Sequence, residues 1–197
     1  MIESKVENLE LYSDTYPFNL SLRISAFENE VDYKKFVLNC EALIRRSREF
    51  KLWKQYLVDV LGVQECFITH EVMEDVSIEI HHHVPSLYIL VSALVNKHIA
   101  EETPFCSFDI STEAIELHYA NRIGYVALLK SIHEKFHNGK LEIPISLVRG
   151  NYQYFMENFT RFVDPGDLDL LQERLVIREI QQEWTKDNYP GLMRATG

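Results

Sequence analysis

Five of the eight histidines in this 197-residue chain fall in two short tracts, His81-His82-His83 and His133-x-x-x-His137. The first tract runs into Val84-Pro85. Proline has no backbone N–H and cannot extend a strand ladder, so the triplet sits where a strand gives way to a loop. Neighbouring strand residues point to opposite faces, so His81 and His82 cannot share one role while the strand stays regular. One can bind a metal while the other faces a substrate. In the second tract, a spacing of four is just over one helical turn, which places both imidazoles on one side of a helix. They lie beside an apolar stripe of Leu128, Leu129, Ile132 and Phe136. A helix packed on the strand by that stripe would carry His133 and His137 to the strand's histidines. Three neutral imidazoles plus water make a catalytic metal site with an open position. Either tract alone is more often a core or surface cluster; the two together, in this order, favour the metal.

The apolar periodicity supplies the rest of the frame. Phe36, Val37, Cys40, Leu43, Ile44 and Ser47 recur at helical spacing within Val31 to Leu61. The phase slips near Arg48 to Lys51 before Trp53, Leu57 and Leu61, which predicts a bend or two successive helices, stopped at Gly62. Asn19 to Ala26 alternates like a short strand. Glu65 to Glu71 and Val76 to Val84 read as two strands turned at Glu74-Asp75, a β-hairpin. Helices are expected over Ser86 to Ala100, over Thr112 to about Ala120, and around Leu128 to Phe136 with a stop at Asn138-Gly139. Thr103 to Ser111 reads as irregular and Leu141 to Val148 as extended. Asp164-Pro165-Gly166-Asp167 starts a C-terminal helix running from Leu168 to about Trp184. The fold class is therefore α+β and helix-rich, with a central β-hairpin plus helix and flanking helices. Three stretches form one compact unit: a helical region over 1–64, the core with a helical insertion over 65–145, and a helical extension over 146–197.

Composition narrows the class. Apolar residues make up 46% of the chain, enough for a core. The longest apolar run, Leu87 to Val95, is too short to span a bilayer, and no membrane partner is expected. The N-terminus lacks the pattern of a secretory leader. Cys40, Cys66 and Cys106 are scattered and odd in number, as buried thiols in a reducing compartment would be. A soluble, cytoplasmic protein is expected. The net charge of −10 argues against non-specific coating of nucleic acid, which needs many exposed cations. Arg45, Arg46, Arg48, Lys51 and Lys54 still form a local basic run, either a phosphate contact or a solvated helix face. Arg122, Lys130, Lys135 and Lys140 surround the second histidine tract and are better placed to meet a phosphate. Tyr152, Tyr154, Phe155, Phe159 and Phe162 offer base stacking or, more commonly, a core or a protein interface.

The tracts Glu79-Ile80-His81-His82-His83-Val84-Pro85 and His133-Glu134-Lys135-Phe136-His137-Asn138-Gly139 resemble the HNH, or His-Me finger (ββα-metal), nucleases. The histidine-rich form of colicin-type DNases is the nearest likeness, covering roughly Cys66 to Gly139. The resemblance implies hydrolysis of DNA phosphodiesters at one divalent metal ion: zinc, nickel, magnesium or manganese. It makes His81, His133 and His137 the metal ligands and His82 the base that activates water. Glu79 would support a ligand by accepting its hydrogen bond, with His83 beside the base. Asn121 would be the asparagine whose side chain fixes the loop holding the base. The roles of His81, His82 and His83 exchange if the register slips. The stretch between the tracts is longer than in compact relatives. With Arg45-Arg46-Ser47-Arg48 on a long helix before such a unit, the chain is also similar to uncharacterised proteins of large tailed bacteriophages, which leaves the virion as a second location. The alternative to a nuclease is a phage structural or partner-binding protein that keeps the motif as a non-catalytic metal site, with the C-terminal aromatics as a protein contact. A third reading is a helical interaction protein whose histidines bind no metal.

Overall fold

The computed structural model describes residues 24–72 and 77–177. The turn expected at Glu74-Asp75, most of the strand expected at Asn19 to Ala26, and residues 178–184 of the expected C-terminal helix lie outside them.

Helices α1 (Glu30–Arg46) and α2 (Arg48–Asp59) meet at Ser47, one residue before the stretch in which the apolar phase slips. Ser47 adopts an extended conformation, closes α1 through its N–H, and caps α2 by accepting from the Phe50 N–H at 3.0 Å. Both helices are therefore capped with no linker between them, and α2 turns Phe50, Trp53 and Leu57 inward. Gly62 follows at φ +68°.

Strand β1 (Ile78–His82) pairs antiparallel with β2 (Tyr125–Leu129), Ile78 opposite Leu129 and His82 opposite Tyr125. Its partner is thus not the segment Glu65 to Glu71. That segment is a turn closed by a single bridge between Glu65 and Val72. Between β1 and β2 run α3 (Leu87–Ala100) and α4 (Ser107–Tyr119). Helix α3, capped by Ser86, buries Leu87 and every residue from Ile89 to Val95. A helix apolar on all sides belongs at the centre of a bundle, and α1 and α4 pack against it. Helix α4 begins at Ser107, inside the stretch expected to be irregular; the Asp109 carboxylate caps it by accepting from the Cys106 N–H at 2.9 Å.

Leu128 and Leu129 lie in β2, not in the helix to which their spacing assigned them; α5 (Lys130–His137) starts immediately afterwards. All five residues of β2 are buried, and a strand covered on both faces shows no alternation to distinguish it from helix. Helix α5 lies across β1 and β2 on Ile132 and Phe136. Leu141 to Val148 contains a 3-10 turn at Ile145–Leu147 and no strand. Helices α6 (Tyr152–Phe159) and α7 (Pro165–Val176) complete the described chain. Phe155 and Phe159 stack on each other in the core, so they are not available to nucleobases. The three cysteines are buried free thiols.

The end of β1 is held tightly. The His83 N–H donates to the Gly124 carbonyl at 3.0 Å, and Val84 takes φ +54°, which a β-branched residue rarely adopts. A Cβ at Gly124 would lie 2.2 Å from the His83 carbonyl oxygen and 2.6 Å from that of Val84. Gly124→Ala is expected to destabilise the protein by about 1–3 kcal/mol, read from the urea midpoint, because backbone cannot yield as a side chain can. An unchanged midpoint would contradict this close approach.

Candidate metal centre

Alternation along β1 sends Glu79 and His81 to the face that α5 covers, and His82 to the opposite face. Histidines 133 and 137, one turn apart on α5, reach that first face. The His133 Nε2 lies 2.9 Å from His81 Nδ1 and 2.9 Å from His137 Nε2. One nitrogen from each residue falls within 4.8 Å of the others. Glu79 takes the remaining hydrogen of His133: Nδ1 donates to its Oε2 at 2.5 Å. That bond fixes the tautomer, leaving the Nε2 lone pair directed at the other two imidazoles, as carboxylate–histidine pairs do beside metals. Burial, then His133, His83, His137 and Arg174, hold the His81 imidazole down at about 2. His137 is lowered chiefly by burial, with His133 adding to it. Neutral imidazoles converging on one point are the donor set of a zinc- or nickel-type site. The residues expected as ligands are thus brought together, and the Glu79 carboxylate accepts from one of them.

The expected base is placed differently. His82 is 4% exposed and packs on the far side of β1 against Phe50 and Trp53, at ring separations of 5.8 and 6.1 Å. Its Nε2 is 2.7 Å from the Nε2 of His118 on α4. Since His118 Nδ1 donates to the Ala114 carbonyl at 2.6 Å, its Nε2 is the acceptor and His82 the donor. His118 was not legible as a site residue; a single histidine in a helix carries no spacing signal. His83 is fully buried beside Phe136, away from His82. Asn121 does not reach the base. It has φ +54°, its carbonyl accepts from the Asn151 N–H, and it lines a separate cleft of about 550 Å³ with Tyr125 and Arg149. The backbone of the same loop, through Gly124, holds the strand end instead.

Of the basic candidates, Arg45 shares a cleft with His133 of the triad. With Lys54 it lines a cleft of about 540 Å³ whose other walls include Ile78, Glu79, Ile80 and His133. Arg48 and Lys130 are exposed at helix starts, and Lys140 is exposed just beyond α5. Lys135 lies within α5 itself. Arg122 belongs to another surface, donating to the Tyr154 hydroxyl at 3.1 Å and covering its ring. Arg174 of α7, named in no sequence argument, stands over the Phe136 ring at 5.5 Å.

Residues 2–189 match the bacteriophage G278-like virion proteins. The chain belongs to that family. The phage affiliation is thereby established, and the description of the family places its members in the virion. No curated protein and no solved structure matches the chain. No helix of the described residues is long and apolar enough to cross a membrane.

The His82–His118 pair sets a pH dependence. Burial lowers His82 well below the usual histidine range and His118 to about 4, the latter opposed by its bond to Ala114. A group whose folded pKa is depressed binds its proton more readily in the unfolded chain, so stability falls as pH drops below the unfolded value. Between pH 7 and pH 5 each such histidine is expected to remove about 1–2 kcal/mol, seen as a falling urea midpoint. A flat midpoint over that range would show that the pair is not buried and neutral.

Proposed function

We propose that this virion protein holds one divalent metal ion on His81, His133 and His137, and that the ion organises the ββα unit for a structural or partner-binding task. The observation that carries this reading is the separation of the triad from His82. The triad has the donor chemistry and the supporting carboxylate of a metal site. The residue that would activate water lies on the opposite face of the strand, buried against Phe50 and Trp53. Membership of a virion-protein family agrees with a part built into, or carried by, the particle.

A second reading, an HNH-type DNA endonuclease, rests on the cleft beside the triad. Arg45 and Lys54 there would meet a phosphodiester, and the metal would offset charge developing on its oxygens. His118 would then hold His82 in the tautomer with a free Nδ1 lone pair.

One set of proteins separates the two. Metal-stripped protein is expected to take up one equivalent of zinc or nickel, and His133→Ala none. Glu79→Gln is expected to weaken that uptake by about 10- to 100-fold. Supercoiled plasmid should remain intact with zinc, nickel, magnesium or manganese. Metal-dependent nicking that disappears in His82→Ala would replace the structural reading with the nuclease; no metal uptake would remove both.

A further inference from the structure

Buried polar atoms in folded proteins are nearly always hydrogen-bonded, so a group of them without partners marks something that belongs there. Among the described residues six buried side-chain polar atoms lack a partner, and four of these belong to His81, His83 and Arg174. The four are His81 Nε2, both ring nitrogens of His83, and one terminal nitrogen of Arg174. These three side chains share a neighbour. The Phe136 ring lies 4.7 Å from the His81 ring, 5.5 Å from the His83 ring and 5.5 Å from the Arg174 guanidinium. The His81 and His83 rings are 6.1 Å apart. Arg174 is close enough to depress the protonation of both.

The missing partner can be characterised from the donors. His81 presents Nδ1 to His133, so a metal on that nitrogen leaves the ring hydrogen on Nε2, a buried donor. Arg174 has only donors. Asp167, two turns back on α7, acts on it electrostatically. A neutral His83 contributes one more N–H, and the Ile143 carbonyl beside it favours protonation without reaching hydrogen-bond geometry. Donors from β1, its C-terminal extension and α7, one of them a guanidinium, call for an acceptor with negative charge.

We infer that His81 Nε2, His83 and Arg174 form a binding site for a small oxyanion, a tetrahedral phosphate-like group or a carboxylate, on the side of His81 away from the metal. The site rests in part on the metal reading, since the metal makes His81 an obligate donor there. It lies apart from the Arg45–Lys54 cleft and assigns α7 a task in the centre: a guanidinium that holds the anion supporting a ligand histidine.

The test is calorimetric titration of sulfate, and in parallel acetate, into metal-loaded protein at constant ionic strength. Wild type and Arg45→Gln are expected to bind at least one of the two anions alike. Arg174→Gln should bind it about tenfold or more weakly, having lost a charge-assisted fork. Arg174→Lys, which keeps the charge and is less disruptive to packing, should fall between. Whichever anion is retained by Arg45→Gln and lost by Arg174→Gln identifies the class. Equal binding by wild type and both Arg174 variants, or loss in Arg45→Gln instead, would overturn the site, as would no binding of either anion to wild type. Metal content is measured on the same samples. Arg174-dependent anion binding without metal uptake would keep this site and remove the metal reading; metal uptake without anion binding would do the reverse.

Discussion

The centre depends on one constraint, the two-residue period of β1 locked in register with β2. With Glu79 opposite Leu128 and His81 opposite Val126, the carboxylate and one imidazole must face the helix that β2 feeds into. No residue separates β2 from α5, so the register also fixes where His133 and His137 arrive. A slip of one residue would send His82 to α5 and His81 into the aromatic pocket of α2. Burial of both faces of β2 makes that slip costly, since every side chain of the strand would change environment.

The bundle around this unit serves the same register. Forty-two residues separate the paired strands, yet their ends are joined at Gly124, whose carbonyl accepts from His83. The insertion closes on itself because α3 is buried on all sides between α1 and α4, and so it behaves as part of the core instead of a long loop. Helices from before, within and after the ββα unit each place a side chain against it: Trp53 from α2 and His118 from α4 against His82, and Arg174 from α7 over Phe136.

What could be read from the sequence followed from how local each signal was. The change of helix near Arg48, the starts of α3 and α7, and the shared face of His133 and His137 rest on spacings of a few residues and were legible; the meeting of His81 with His133, 52 residues away, came from the resemblance of the two tracts to a known family. The strand partner was not. Glu65 to Glu71 carries enough strand-like character to suggest a hairpin over a short turn, while the true partner is distant and, being buried on both faces, resembles a helix. Asn121 has only its residue type to mark it, and the close approach at Gly124, which does hold the strand end, leaves no signature except a glycine. The separation of His82 from its neighbour followed from alternation; what buries it did not, because Phe50, Trp53 and His118 come from two other elements. Arg174 lies 37 residues beyond His137, with no periodic relation to it.

The burial of His82 also bears on catalysis energetically. Freeing its ring means moving α2, with Phe50 and Trp53, away from β1; these two side chains are 4% and 3% exposed. Re-exposing two such side chains costs about 3–6 kcal/mol at about 1.5–3 kcal/mol each. A base available only in that state would be present in about one molecule in a hundred to one in ten thousand. Hydrolysis through His82 would be slowed by the same factor unless a ligand recovered that free energy by binding the opened form more tightly. Lys54 sits on α2, the element that would have to move, and Arg45 at the end of α1 beside it, so a polyanion gripping them would be the ligand able to do so. In the arrangement of the structure His81, His133 and His137 come together on one face of β1, while His82 stays buried on the other against α2.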